Sequence, residues 1–323
     1  MAGTVLVLSG PDDSTADAVI AELVERGASI ACMDIGDFPL RMTMRARLEQ
    51  GKGGWQGELC TVDRSIELAD VRAVYYRRPT RFTVPDGMSE VDAIFAATEA
   101  QFGLGGVLAT LDVLWVNNPA RAAFAEYKPV QLRVAKDSSL TVPRTLVTND
   151  HRAAQEFAAA VGGQIVCKTL SSLVLSEGGQ HRITYTTPID PATVDPGSLA
   201  VSANLVQELI PKSHDARVTM VGDQPFAVAI HADTDAARID WRADYDALTY
   251  TPIEPPGHII AGMVRYLHAF ALTFGAFDFA VTSQGDWVFL ECNPSGQWLW
   301  LQERAGLPIA GALAEFLAKG SDR

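Results

Sequence analysis

The feature that most restricts this chain is the stretch from Asp278 to Pro294, DFAVTSQGDWVFLECNP. Two apolar runs flank the turn signal Gln284-Gly285-Asp286, so the stretch predicts a tight hairpin. Successive side chains of a strand point to opposite faces, and Glu291 and Asn293, two apart, therefore project together. Asp278 on the partner strand joins them. Phe277, Phe279, Val288, Phe289 and Leu290 bury both strands. Unpaired buried acids are costly, which disfavours the alternative of an exposed acidic hairpin. Two carboxylates and an amide oxygen make a hard-oxygen set suited to Mg2+, an ion that takes few protein ligands and keeps positions for phosphate oxygens and water.

Ahead of this hairpin the chain reads as alternating strands and helices. Val5 to Leu8 predicts a strand, closed by Ser9-Gly10-Pro11 and followed by a helical pattern through Ala18, Ile20, Leu23 and Val24 that stops at Gly27. A strand over 29–35, a hairpin across 51–57, a strand over 73–76, a helix over 89–111 and a strand over 113–116 complete an α/β unit. A helix from Pro119 to Ala135, a strand at 145–147, a helix over 150–161 and a strand over 164–168 make a smaller second unit. From Asn204 the pattern turns to antiparallel strands, with a hairpin through Gly222-Asp223, a helix over 258–274, the acidic hairpin and two closing helices. The expected domains are 1–118, 119–203 and 204–323.

Composition removes several function classes. The net charge of -13 argues against a sequence-independent nucleic-acid binder, whose affinity rests on a basic surface. Cys32, Cys60, Cys167 and Cys292 are scattered without a CxxC pair, which suits reduced thiols better than a zinc site or a disulfide framework. No apolar run is long enough for a membrane span, and the N-terminus lacks a signal-peptide layout, so a soluble, cytoplasmic protein is expected. No glycine fingerprint of a dinucleotide fold opens the chain.

With the hairpin fixed, other residues fall into an order. Lys128 follows Asn118-Pro119 on a helix, and Lys168 ends the strand Ile165 to Lys168. The segment from Gln207 to Asp223 carries Glu208, Leu209, Lys212, Asp215 and Arg217. Any one of these cations alone reads as a solvated surface charge; all of them, ordered around the hairpin, do not. In this pattern the chain resembles the ATP-grasp superfamily, whose metal-binding hairpin ends in E-x-N-P after an upstream Asp. The resemblance implies an α/β (α+β) chain: an N-terminal pre-ATP-grasp domain, a small central domain and a C-terminal antiparallel-sheet domain. It implies ATP and Mg2+ as cofactors, with Asp278, Glu291 and Asn293 on the metal and Lys128 and Lys168 on phosphates. Gln207, Glu208 and Leu209 would meet the adenosine, within a nucleotide segment that includes Lys212 and Asp215, and Arg217 the transferred phosphoryl group. One departure is the stretch after Lys168, TLSSLVLSEGG, which holds Ser171, Ser172, Gly178 and Gly179 but not the fuller glycine-serine loop of many family members.

The stretches YYRRP at 75–79 and NNP to VTN at 117–149 are similar to the ATP-grasp maturases of ribosomal peptides, the graspetide synthetases that include microviridin-type ligases. The actinobacterial members are nearest. That likeness implies activation of Asp or Glu side chains of a leader-bearing precursor peptide as acyl phosphates, followed by ester or amide formation with Ser, Thr or Lys. The leader would dock around 181–199, and a homodimer is compatible. Arg77 and Arg78 would meet acidic peptide side chains, or else pair across the domain interface. Arg242 and Arg238 are candidates for the reacting carboxylate, with His231 and Asp240 as further substrate contacts. The rival readings are a ligase for small amino acids or one adding glutamate to a protein, and a non-catalytic nucleotide-binding protein.

Overall fold

The structure is a computed structural model that describes residues 3–162, 164–171, 175–177, 180–182 and 185–320. The N-terminal unit opens with β1 (Thr4–Leu8), α1 (Ser14–Glu25) and β2 (Ile30–Met33). β3 (Met42–Arg47), β4 (Gln56–Thr61) and β5 (Ser65–Glu67) form a small antiparallel sheet, and β6 (Val71–Tyr76), α2 (Glu90–Ala109) and β7 (Leu114–Val116) follow. The main sheet runs β2-β1-β6-β7, all parallel. Its strands are apolar on both faces because both are covered, as parallel sheets require. Asp13 caps α1 and Ser89 caps α2 through their side-chain oxygens, which explains where both helices begin.

Next come α3 (Pro119–Ala125), α4 (Lys128–Asp137), β8 (Thr145–Thr148), α5 (His151–Val161) and β9 (Ile165–Lys168). They precede β10 (Leu175–Glu177), β11 (Gln180–Arg182), β12 (Thr187–Ile189) and α6 (Pro196–Ala200). The single helix expected over 119–135 is two, broken at Glu126 and Tyr127. Pro129 sits in the first turn of α4, where its missing N–H costs nothing, and could not continue α3. β13 (Asn204–Glu208) completes the central sheet, ordered β12-β9-β13-β8, so the change of sheet falls after Glu208 and not at 203. Ala125, Ala135 and Leu140 pack into the C-terminal core, so α3 and α4 belong there and not with the central sheet.

The remaining elements are β14 (His214–Val221), β15 (Gln224–Ala232), α7 (Asp235–Ile239), β16 (Leu248–Ile253), α8 (Gly257–Phe270), β17 (Phe274–Val281), β18 (Trp287–Asn293), α9 (Leu299–Ala305) and α10 (Ile309–Lys319). The sheet β16-β15-β14-β17-β18 is antiparallel throughout. One face meets α8 through Val218, Phe277, Phe279, Tyr266 and Phe289. The other shares a core with α1 and α10, in which Val5, Val19 and Leu23 pack with Val228, Ile230, Leu313 and Leu317. α2 covers the remaining face of the N-terminal sheet with Leu104, Val107 and Leu108. Among the described residues no helix is long and apolar enough to cross a membrane.

Candidate active site

Arg217, Asp278 and Glu291 lie directly opposite one another on β14, β17 and β18, so one row of side chains crosses three adjacent strands on one face. The facing depends on an irregularity between Asp278 and Phe279. Strict alternation from Phe289, whose ring is in the core, would turn Glu291 inward. Leu290 is the extra residue of a bulge that shifts the phase, so Glu291 faces out while Cys292 returns to the core. The Arg217 Nη1 donates to Asp278 Oδ2 at 2.6 Å, and its Nη2 donates to the Gln297 carbonyl at 3.3 Å. Asp278 Oδ1 and Arg217 Nε are buried without a hydrogen-bond partner among the described residues. Burial pushes the Asp278 carboxyl above its usual range, against the pull of Arg217.

Cations from other elements converge on this row. Lys128, the first residue of α4, donates its Nζ to Glu291 Oε2. Burial works against the Glu291 charge, but Lys128, Arg242 and Lys168 outweigh it and hold the carboxyl down to about 2. Lys168 ends β9, and burial lowers its amine to about 8, with Lys128 and Lys212 adding to the effect. Lys212 Nζ donates to Asp215 Oδ1 at 2.7 Å, and burial nevertheless lifts Asp215 to about 6. Arg242 grips Asp240 bidentately at 2.9 and 2.7 Å, and the Thr186 N–H donates to the same carboxylate at 2.9 Å. Burial alone would raise Asp240; Arg242 and the amide bring it to about 2.

Three supports of the site went unread in the sequence. Gln131 donates to the Cys292 carbonyl at 2.9 Å and accepts the Cys292 N–H at 3.0 Å. β18 is an edge strand, and this amide completes its ladder between Glu291 and Asn293. Asn117 donates to the carbonyls of Phe274 and Pro294 at 2.8 and 2.7 Å and accepts the N–H of Thr273 and Phe274. It ties β7 to the start of β17 and to the residue after Asn293. Gly296 leaves room for Arg217: a Cβ there would lie 2.4 Å from the Ala276 Cβ and 3.0 Å from Arg217 Nη2. A polar residue inside an apolar helix pattern, as at Gln131, was the one available signal.

Other expected residues are placed differently. Arg77 is buried, donating to the Ser295 carbonyl at 2.8 Å and to Gln297 Oε1 at 2.6 Å, with Asp13 3.5 Å away. It is a strut between domains, unavailable to a peptide carboxylate; Arg78 stays exposed in an open crevice with Asp12, Gln297 and Trp300. His231 lies beside His214, 5.3 Å between centroids with the ring planes tilted by 45°, on the sheet face opposite Arg217, because it pairs with Thr249 one position out of phase. Arg238 lies on exposed α7, paired with Asp235 and the Ala232 carbonyl. Asn293 is exposed, and its Oδ1 accepts the Ser295 N–H at 2.8 Å. Gln207 Nε2 donates to Thr145 Oγ1 at 2.9 Å, and Glu208 Oε1 accepts the Arg144 N–H at 2.7 Å. The Glu208 and Leu209 N–H groups donate to the carbonyls of Arg144 and Gln164, both at 3.1 Å. Ser171 lies in the described part of the post-Lys168 loop; Ser172, Gly178 and Gly179 lie outside the described residues.

The donor set fits Mg2+: Asp278 presents an orphaned buried oxygen beside Glu291, with Asn293 next along β18. Among the described residues no three His, Cys, Asp or Glu side chains converge as a metal-binding group. A central and a C-terminal sheet closing on such a row, with lysines from each side, is the ATP-grasp arrangement. The family described as the MvdD pre-ATP grasp domain matches residues 4–123. No curated protein matches the chain. Among solved structures, the macrocyclase MdnC of Microcystis aeruginosa MRC, bound with precursor peptide MdnA, is 29% identical with a TM-score of 0.82, covering 98% of this chain and 99% of that one. A RiPP-associated ATP-grasp ligase of Chryseobacterium gregarium, in complex with ADP and a leader and core peptide, has a TM-score of 0.89 at 23% identity, covering 98% and 97%. The ligase PsnB, complexed with minimal precursor, Mg and ADP, has a TM-score of 0.75 at 24% identity, covering 98% and 96%. The protein is an ATP-grasp ligase. It is closely related to the RiPP-associated ATP-grasp ligases and macrocyclases.

Proposed function

We propose that the protein activates Asp or Glu side chains of a ribosomal precursor peptide with ATP and closes them onto hydroxyl or amine side chains of the same peptide. The observation that carries this reading is the row Arg217–Asp278–Glu291 with Lys128 and Lys168 converging on it. That arrangement serves a polyphosphate and a displacement at its end. MdnC carries its precursor peptide, and PsnB its precursor with Mg and ADP, on the same fold. Asp278, Glu291 and Asn293 would hold Mg2+, which supplies charge neutralisation between phosphate oxygens.

Lys128 and Lys168 orient the phosphates, and Arg217 faces the position where equatorial charge grows as the phosphoryl group moves. A peptide carboxylate oxygen attacks the γ-phosphorus, the bond to the bridging oxygen breaks, and ADP leaves. Arg242, locked by Asp240, holds the carboxylate in line. The peptide hydroxyl or amine then adds to the acyl carbon, its proton is lost, and phosphate departs, so each link removes one water. Because the Leu209 and Glu208 N–H groups are engaged, the adenine amino group is read by carbonyl oxygens of 207–209. The leader docks on the central domain, where β12 is an edge strand open to strand addition. A cytoplasmic location supplies the ATP.

Incubation of the enzyme with ATP, Mg2+ and the full precursor should give mass losses in whole multiples of water, and the core without its leader should react poorly. ADP formation stimulated by free glutamate, with no dehydration of any precursor, would replace this reading by that of a small-substrate ligase.

A further inference from the structure

An open crevice of about 470 Å³ lies between the start of α1 and α9, within the roughly 300 to 1,000 Å³ of sites that take a ligand. Asp12 and Thr15 line it from the α1 side and Trp300 and Glu303 from α9, together with Arg78 and Gln297. It adjoins the active row. The Gln297 carbonyl accepts Arg217 Nη2 at 3.3 Å while the residue also lines the crevice. Trp300 continues the lining into an aromatic wall, 5.7 Å between centroids from Trp241, whose ring is 5.8 Å from that of Tyr245. Tyr245 is exposed and within electrostatic reach of Arg242 and Arg217. The crevice also differs from its surroundings in its polar groups. Around it Arg217 is paired with Asp278, Arg242 with Asp240 and Arg77 with Asp13. The side chains of Arg78 and Asp12 make no hydrogen bond or ion pair among the described residues. Gln297 Oε1 accepts Arg77 Nη2 at 2.6 Å and Thr15 Oγ1 at 3.1 Å, which fixes the amide's orientation, since a guanidinium can only donate. Its Nε2 is then a held donor with no partner among the described residues.

Resting on the peptide-ligase reading above, we propose that this crevice is the acceptor subsite: it holds the peptide segment that carries the attacking hydroxyl or amine, while Arg242 holds the segment that carries the carboxylate. The acceptor segment lies against Trp300, a rigid flat surface for a peptide plane. Gln297 Nε2 donates to one of its main-chain carbonyls, and Arg78 pairs with a carboxylate side chain on it. From there the nucleophile reaches past Gln297 to the acyl carbon beside Arg217. Its oxygen or nitrogen forms the new bond to that carbon, its proton passes to solvent, and the bond from the carbon to the phosphate oxygen breaks. Holding the nucleophile apart from the carboxylate, yet in reach of it, lets ring closure outrun hydrolysis of the acyl phosphate.

The test separates activation from transfer. The full chain is incubated with ATP, Mg2+ and saturating full precursor, with and without hydroxylamine, which is small enough to reach the acyl phosphate without a subsite and leaves the peptide as a hydroxamate. Arg78→Glu and Trp300→Leu should each lower link formation, read as loss of water, by about tenfold or more, the effect of losing one charge-assisted hydrogen bond or its support. Hydroxamate yield should stay at the wild-type level, which also shows that the variants fold, and without hydroxylamine ADP should run ahead of water loss. Arg78→Lys, which keeps the charge, should fall between Arg78→Glu and wild type. Links and hydroxamate that fall together, or that both match wild type, would overturn the acceptor subsite and leave the ligase reading standing. A wild-type chain that yields no hydroxamate would remove that reading, and this subsite with it.

Discussion

Glu291 is charged because three cations surround it, and that charge is linked to stability as well as to catalysis. The folded carboxyl releases its proton near 2 and the unfolded one near its ordinary 4.5. Between these values the unfolded chain binds more protons, so the contribution is present above 4.5 and is lost as pH falls toward 2. Thermal melts of Glu291→Gln should therefore flatten over that window relative to wild type, while its ADP formation is abolished; wild-type turnover would remove Glu291 from the metal site. Arg217→Ala should lower kcat by about 10² to 10³-fold with a smaller change in KM for ATP, the mark of a group that acts on the transition state. Gly296→Ala should impair the same step by pressing on Arg217, and Ala276→Gly should partly rescue it, since the closest clash is between those two Cβ atoms. The convergence of Asp278, Glu291, Lys128, Lys168 and Arg217 was legible in the sequence through their order around the hairpin and the resemblance that order carries. Arg77 was not, because nothing in Arg77-Arg78 tells which of two adjacent guanidiniums turns inward to Ser295 and Gln297.

Elements decide which of these residues can meet. The hairpins β14–β15 and β17–β18 were readable from alternation and turn residues, yet the pairing of β14 with β17 and the bulge at Leu290 were not: nothing local names a partner so far along the chain, and a phase shift leaves no mark when the inserted residue is as apolar as its neighbours. His231 was misplaced for a related reason, since its face depends on the register of β15 against β14. Gln131 shows what holds the bulged strand in place. Gln131→Leu would orphan both polar groups of Cys292, at a cost of about 1 to 3 kcal/mol for each one left buried. Urea unfolding should report that loss. Glu291 and Asn293 would also become less well held, so the Mg2+ concentration for half-maximal ADP formation should rise severalfold. Unfolding and Mg2+ response both like wild type would mean that water or another side chain serves the edge of β18 equally well.

At the scale of the molecule, the N-terminal domain owns the core under α2 but shares the one under α1. Ile309, Ala310, Leu313, Ala314 and Leu317 of α10 pack against Val19 and Leu23 of α1, and Trp298 joins them beneath Tyr75. A fragment of residues 1–123 should accordingly show no cooperative thermal transition by circular dichroism, whereas the full chain unfolds in one; a sharp melt of the fragment would show that α10 is dispensable. The α/β opening and the later antiparallel strands were readable from pattern, but this return of the last helix to the first was not, because an amphipathic helix does not name the surface it will cover. The same return has a consequence for biosynthesis. At roughly 5 to 20 residues per second, a ribosome takes roughly 15 to 60 s to reach α10 after β1 has emerged. Through that interval the outer face of α1 stays uncovered on the nascent chain. The N-terminal domain thus waits for the end of translation to finish folding, and holdase chaperones that recognise exposed aliphatic helices have their opportunity in that interval.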